Sequence, residues 1–392
     1  MKKHIVISGG GIAGLTAARL LANQGYRITV LERASSFNKS GFLISLKSFG
    51  VKIMDELGLT AQLQQASLPS ELARFLEADD HVIQEISYDK MHQGIERAVL
   101  ITRGGLHQVL YDHIKEDVDI LFSSTIQELH DKGATVKVVL SSGEVLTADL
   151  LIVSEGLRSS TRESYFKDSQ LEDFNLLYMG GRLNETHAYK VGTFNIYVDV
   201  NRMLSIYPIA ADEIAIQVYI HHSGDLASIR NTAYDMLRTS FKGYNADVRN
   251  LLSRFENNGL MFIDKMGMVN APGLVKGKVV LLGDAGYCPT ALSGMGASLS
   301  IYGAKALVHF IRQDPGDLGS ACRHYDQLMQ PIIKKFQGNA RNNAASFIPG
   351  NEEGLAKFVN SFREASAADV QKIMTDPIVL NEDQLNFSIT GL

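Results

Sequence analysis

Residues 4–14, His4-Ile5-Val6-Ile7-Ser8-Gly9-Gly10-Gly11-Ile12-Ala13-Gly14, continue through a helical pattern to Ile28-Thr29-Val30-Leu31-Glu32-Arg33. Ile5, Val6 and Ile7 form a short buried strand, and Gly9, Gly10 and Gly11 turn the chain. Ile12 and Ala13 open a helix on which Leu15, Ala18, Leu21 and Ala22 recur at helical spacing, until Gly25 stops it. Residues 28–31 are the next strand. Such a βαβ unit needs a right-handed crossover and belongs to a parallel sheet. Within it, Gly9-x-Gly11-x-x-Gly14 has the spacing of a dinucleotide cradle. Gly9 permits the tight turn, Gly11 lets the backbone approach a pyrophosphate, and Gly14 lets helix and strand close up. The helix start adds free N–H groups and a positive dipole end. Glu32 ends the second strand, where an acid accepts hydrogen bonds from a ribose, and Arg33 beside it is placed to lie over the adenosine. To this point FAD and NAD are both open.

The rest of the chain narrows the class. It has 392 residues, 45% of them hydrophobic, enough for a large core and more than one lobe. Its 38 basic and 43 acidic residues leave a net charge of −5, unlike the basic excess of a nucleic-acid surface. The two cysteines, Cys288 and Cys322, exclude a disulfide framework, and no Cys/His spacing suggests a metal site. No apolar stretch approaches the roughly 18 residues a membrane helix needs. These features predict a soluble, cytoplasmic protein.

Helix is expected over 48–66 and 106–116, and strand over 82–88, 118–122, 134–140, 148–153 and 279–282. From about 174 to 222, alternating β-formers such as Thr193-Phe194-Asn195-Ile196-Tyr197-Val198 predict an antiparallel sheet inserted into the parallel one. Helical patterning follows to 338 and again over 351–374.

A second motif decides between the cofactors. Gly283-Asp284-Ala285-Gly286-Tyr287-Cys288-Pro289 follows the last strong strand, and Gly294-Met295-Gly296-Ala297-Ser298 then opens a helix. Here the chain resembles the FAD-dependent aromatic hydroxylases of the para-hydroxybenzoate hydroxylase type, a family that includes the tetracycline-inactivating monooxygenases. The resemblance implies that Asp284 binds the ribityl chain of FAD. It also implies that the helix opening at Gly294 to Ser298 points its amino end at the flavin, where it favours negative charge. Two further segments match. Glu155-Gly156, followed by Ser159 and Arg162, corresponds to an Asp-Gly segment of the family, with Glu155 in place of the usual Asp. Arg103, in Ile101-Thr102-Arg103-Gly104-Gly105, falls where the family places an arginine near the phosphates and ribityl chain. Tyr287 stands at a position often occupied by His, and Ala297-Ser298 where a small residue and Asn are common; the resemblance sets both near the flavin.

The resemblance covers most of residues 4–340 and is dense in the cofactor lobe. It implies an α/β protein: a doubly wound, Rossmann-like FAD-binding lobe, an inserted antiparallel β-sheet substrate domain and a C-terminal helical segment. The FAD-binding domain is expected over 1–70, 98–165 and 265–340, the substrate domain over 71–97 and 166–264, and the helical segment over 341–392. FAD is expected to be bound without a covalent link. Only one dinucleotide fingerprint is present, so NADPH (or NADH) would dock transiently and pass a hydride to the flavin. One oxygen atom of O2 would then be transferred to a small aromatic or polyketide-like substrate, tetracycline-like compounds included. That chemistry is the cofactor's, and no residue is singled out as a general base. The complete absence of Trp disfavours halogenation. Phe194, Tyr207 and Tyr219 are candidate substrate contacts on the inserted sheet, and the protein is expected to be a monomer or weak dimer. Two alternatives stand beside this reading: an FAD-dependent reductase of the geranylgeranyl-reductase kind, and a non-catalytic FAD-binding protein.

Overall fold

The structure, a computed structural model, describes residues 2–22, 24–37, 43–91, 97–258 and 262–385. The apolar run near the N-terminus forms the strand His4–Ser8, buried along its whole length. A strand buried on both faces belongs inside a parallel sheet. It pairs in parallel with Arg27–Leu31 on one side and Leu150–Val153 on the other, so that Ile7 lies between Val30 and Ile152. Among the described residues the sheet runs Val275–Lys276, Val279–Leu281, Leu150–Val153, His4–Ser8, Arg27–Leu31, Asp119–Leu121. Only the edge strand Val275–Lys276 is antiparallel.

The helix Ile12–Ala22 packs against Gly296–Gln313. Both carry small buried residues, Ala13, Ala17 and Ala18 on one and Gly303 and Ala304 on the other, so their backbones can approach closely. Val136–Leu140 lies outside the parallel sheet, in a small antiparallel sheet with Ile126–Asp131 and Val145–Ala148.

The inserted sheet is larger than the 174–222 stretch alone implied. Its order is Phe262–Asn270, Gln170–Leu183, Glu213–His221, Arg202–Ala210, Thr193–Asp199, Leu72–Leu76, Val82–Ser87. Thr193–Asp199 and Leu72–Leu76 are parallel, and the other pairs are antiparallel. Strand alternation sorts the side chains as their sequence order predicts. Tyr197 joins Leu204, Ile216 and Val218 in a core closed by the helices Leu226–Arg230, Ala233–Ser240 and Ala246–Asn258. Phe194, Ile196 and Val198 face the other way, onto Phe75 and onto Phe358 and Phe362 of the helix Glu352–Glu364. The C-terminal helices therefore cover part of the sheet face that turns toward the cofactor lobe. Gln84 fixes them there, its Nε2 donating to the carbonyls of Phe362 at 3.1 Å and Ala365 at 3.0 Å.

An antiparallel ribbon, Leu43–Lys47 with Ala98–Thr102, stands between the lobes. The buried Gln217 of the inserted sheet donates to the Leu43 carbonyl at 3.1 Å. Cys288 and Cys322 are free and buried. Among the described residues no helix is long and apolar enough to cross a membrane.

Candidate active site

A cleft of ≈ 340 Å³ is lined by Gly9, Gly11, Glu32, Arg33, Arg103, Glu155 and Gly156, together with Gly10, His107 and Arg158. The three glycines of the fingerprint have different physical reasons. Gly9 has φ +107°, and a side chain there would run into the Ser154 carbonyl. Gly14 could not carry a Cβ without striking the Gly9 carbonyl oxygen and coming within 2.7 Å of Ser154 Oγ. Around Gly11 nothing lies within 4 Å, so its missing side chain leaves open space in front of the helix Ile12–Ala22. Ser154 holds the turn in shape, its Oγ donating to the carbonyls of Gly9 at 2.9 Å and Ser8 at 3.1 Å. Glu32 accepts from the N–H groups of Gly10 at 3.0 Å and Ala34 at 2.8 Å. Arg33 is exposed at the cleft edge, and Ile12 and Ala13 begin the helix.

Glu155 is more heavily engaged than its sequence position suggested. Its carboxylate accepts from Ser8 Oγ, Ser159 Oγ and Thr161 Oγ1, each at 2.6 Å, and from the Thr161 N–H at 3.1 Å. It thus ties the strand His4–Ser8 to the helix Ser160–Tyr165, which Ser159 caps through the Arg162 N–H. Arg162 is almost fully buried, and its guanidinium donates to the Leu157 carbonyl at 2.7 Å and to Glu163 at 3.2 Å. Burial lowers its pKa. It is a brace of the cleft wall.

Arg103 opens the helix Arg103–Asp112, whose N-cap Thr102 accepts from the Gly105 N–H at 2.9 Å. The charge of Arg103 reaches three groups. Burial lowers the pKa of His107, whose ring also bonds the Gly10 carbonyl, and Arg103 adds to that lowering; it also opposes the upward shifts of Asp284 and Tyr178. For Asp284 burial dominates and raises the carboxyl pKa. Among the described residues the Cys288 thiol is the one side-chain donor near its carboxylate, and that thiol also reaches the Gly267 carbonyl at 3.8 Å. Beyond it the buried Pro289 leads into a short 3-10 turn, Ala291–Ser293, and to Gly294 at φ +62°. Met295 is fully buried, Gly296 begins the helix Gly296–Gln313, and Ala297 is half-buried behind it. Ser298 is occupied by the protein, its Oγ accepting from the Lys47 N–H at 3.2 Å and donating to the Lys47 carbonyl at 3.0 Å. Tyr287 departs from the expectation of a residue beside the flavin. Its ring is buried in the main core and its hydroxyl meets Tyr325 at 3.3 Å.

The candidate substrate residues divide. Tyr219 stacks on Tyr178, with centroids 4.8 Å apart and planes at 17°. Gln217 donates to Tyr178 at 3.2 Å and accepts from Tyr207 at 3.3 Å. Burial raises the pKa of all three tyrosines, that of Tyr207 to about 12. Phe194 instead stacks on Tyr88 at 5.5 Å and meets Tyr207 edge-on at 4.6 Å, inside the packing beneath the C-terminal helices. Sequence reasoning missed Lys47, His107, Tyr178 and Gln217. Lys47, Tyr178 and Gln217 are brought in by strand pairing, and His107 lies one helical turn beyond Arg103 on the helix whose opening the motif marked.

FAD fits these residues. Open space at Gly11 faces a helix amino end, Glu32 stands at the adjoining strand end, and Arg103 supplies a counter-charge. Asp284 offers a half-buried carboxylate short of donors, as ribityl hydroxyls require.

The family described as "FAD binding domain" matches residues 2–312. A "Flavin-dependent monooxygenase" of Legionella longbeachae is 26% identical over 340 residues, covering 85% of this chain and 86% of that protein. Among solved structures, the tetracycline destructase Tet(55) superposes with a TM-score of 0.79 at 24% identity, covering 95% of this chain and 97% of its own. Klebsiella pneumoniae HpxO, complexed with FAD and uric acid, does so with a TM-score of 0.84 at 20% identity, covering 96% of each chain. These two likenesses establish the fold.

Proposed function

This chain belongs to the FAD binding domain family of flavin-dependent monooxygenases and is an FAD-dependent oxidoreductase, and from that premise we propose which reaction it catalyses. It hydroxylates a small, planar aromatic or polyketide-like molecule, using NADPH (or NADH) as donor and O2 as oxidant. The observation that carries this reading is the position of Arg103. Its charge acts both on Asp284 of the cofactor cradle and on Tyr178 of the inserted sheet. Arg103, which lines the nucleotide cleft, is thus within electrostatic reach of both the cofactor cradle and the aromatic wall, and in this reading a ligand held against Tyr178 and Tyr219 lies beside the cofactor. That HpxO is complexed with uric acid and that Tet(55) is a tetracycline destructase support a flat, heteroatom-rich substrate.

When bound, FAD supplies hydride acceptance and oxygen activation. The protein's part in the proposal is to hold and shield it. Gly9, Gly11, Gly14, Ile12 and Ala13 shape the pyrophosphate cradle, with Glu32 and Arg33 at the adenosine. Arg103 and Asp284 hold the middle of the cofactor, Pro289 and Gly294 to Ser298 frame the ring, and Glu155 with Gly156 builds the wall behind. Among the described residues no His or Cys lines the cleft except His107, whose ring is taken by the Gly10 carbonyl, which supports non-covalent binding. The free cysteines support a reducing, cytoplasmic setting.

The test is a compound screen for faster NADPH oxidation by the FAD-loaded protein, with oxygen uptake and product mass recorded. A product heavier by one oxygen atom is expected. Reduction of the substrate without oxygen uptake would make the protein a reductase. A protein that holds FAD but never oxidises NADPH would remove the enzymatic reading.

A further inference from the structure

Lys47 ends the ribbon strand Leu43–Lys47, and it is 8% exposed. A buried ammonium normally has a carboxylate or carbonyl partner. Among the described residues the other buried lysine, Lys305, follows that rule and pairs with Glu56 at 2.7 Å. Among the described residues Lys47 Nζ has no hydrogen bond and no ion pair; only its backbone is engaged, by Ser298. Burial alone lowers its pKa, to about 8, with no carboxylate pulling the other way.

Its neighbour makes the situation sharper. Lys47 Nζ lies 3.5 Å from where a Cβ on Gly294 would be, and Gly294 is exposed. Two residues on, the 18-residue helix Gly296–Gln313 begins, and its N-cap Met295 offers no side-chain acceptor. A lysine charge and an uncapped helix amino end thus meet at one point, where they repel each other. The arrangement calls for an anion between them. FAD has two anionic parts, its pyrophosphate and its ring once reduced. The pyrophosphate already has a cradle at Gly11, on the other helix. Between the two stations lies Asp284, whose Oδ1 is 3.9 Å from where a Cβ on Gly296 would be.

We propose that Lys47 is the cation this protein sets against the flavin ring, and that with the amino end of the helix Gly296–Gln313 it favours the reduced, negatively charged cofactor. The nicotinamide donor gives up a hydride, two electrons and one proton, and leaves oxidised. FAD held here would gain one negative charge with that hydride, and Lys47 would stand protonated beside it. The inference rests on FAD occupying the cleft as described, but not on the substrate or on oxygen.

The experiment measures the midpoint potential of FAD-loaded wild type, Lys47→Met and Lys52→Met, by equilibration with a reference dye under slow enzymatic reduction. Lys52 is an exposed cation of the neighbouring helix Phe49–Glu56 and controls for a general loss of charge. Lys47→Met should lower the equilibrium constant for reduction about tenfold, about 30 mV for a two-electron couple, and weaken sulfite binding to the oxidised flavin in parallel. Lys52→Met should change it less than threefold. Equal potentials and sulfite affinities in wild type and Lys47→Met would overturn the proposal. If Lys47→Met fails to retain FAD, Lys47→Arg should hold it at a near wild-type potential, and loss of FAD from both variants would make Lys47 a packing residue only. Wild-type protein that binds no FAD at all would sink the cofactor reading itself, a different result.

Discussion

Ser8 and Glu155 are joined by a 2.6 Å hydrogen bond at the cleft wall, so the first strand of the parallel sheet and the segment after Leu150–Val153 are held by one carboxylate. The extra methylene of Glu155 lets that carboxylate reach Ser8 while still accepting from Ser159 and Thr161. Glu155→Asp should therefore destabilise. The shorter acid must give up either Ser8 or the Thr161 pair, leaving part-buried donors unmatched at about 1–3 kcal/mol. Urea unfolding of the FAD-free protein measures this. A variant as stable as wild type would show that the carboxylate's bonds to the wall contribute nothing.

The glycines give a sharper contrast. Gly11→Val adds atoms to open space, so the FAD-free protein should unfold like wild type, yet its FAD affinity should fall at least a hundredfold, because the side chain occupies the pyrophosphate's place. Gly14→Ala strikes the Gly9 carbonyl and should prevent the nucleotide lobe from closing. Circular dichroism separates the two. A folded Gly14→Ala that binds FAD normally would contradict the packing at this turn.

Asp284→Ala should weaken FAD binding by about 1–3 kcal/mol, roughly five- to 150-fold. Because the chain has no Trp, flavin fluorescence during titration is the direct readout. Asp284 is braced by no backbone N–H among the described residues, so the FAD-free fold should be little affected. An unchanged dissociation constant would remove Asp284 from the cradle.

Much of this was legible in the chain because its signals are local. The fingerprint at Gly9 to Gly14, the strand ending at Glu32 and the Gly-Asp segment at 283–284 each carry their geometry within a few residues. What stayed hidden depends on contacts across the fold. Lys47 looks like an ordinary strand-end lysine until Ser298, 251 positions away, takes its backbone. Tyr178 and Gln217 lie on separate strands, whose antiparallel register brings them together. Tyr287 was read from its motif neighbours, whereas the short helix Asp284–Tyr287 turns it away into the core. Phe194 showed correct alternation, but not that the C-terminal helices pack over it.

The buried ammonium of Lys47 should leave a pH signature in the FAD-free protein. Its pKa is about 8 in the fold against 10.5 in the unfolded chain. Between those values the unfolded state binds more protons, so stability rises with pH, and the cost of the buried charge is fully present below about pH 8. That cost is about 3 kcal/mol at most. Urea unfolding of wild type from pH 7 to pH 9.5 should therefore show a stabilising slope that Lys47→Met lacks. Parallel pH profiles for the two proteins would mean that Lys47 is solvated in the fold.

The last prediction separates the aromatic wall from the core beneath it. Phe194 stacks on Tyr88, touches Tyr207 edge-on and is 7% exposed, so Phe194→Leu removes packing from a filled site. It should cost about 1–3 kcal/mol of stability and alter substrate preference little in the protein that remains folded. Tyr219→Phe keeps the ring stacked on Tyr178 and removes only a hydroxyl, and Tyr207→Phe removes the donor to Gln217. Among the described residues neither hydroxyl bonds one that lines the nucleotide cleft, so both variants should bind FAD as wild type does. If Tyr178, Tyr207, Tyr219 and Gln217 form the polar end of an otherwise apolar substrate wall, these two substitutions should change the ranking of compounds that stimulate NADPH oxidation, by threefold or more for those with a matching hydroxyl or carbonyl. Flavin content, melting temperature and substrate-stimulated oxidation are measured separately for each variant. Loss of FAD in step with activity would make these tyrosines part of the cofactor's scaffold, and a Phe194→Leu protein of normal stability with altered preference would move the substrate beneath the C-terminal helices.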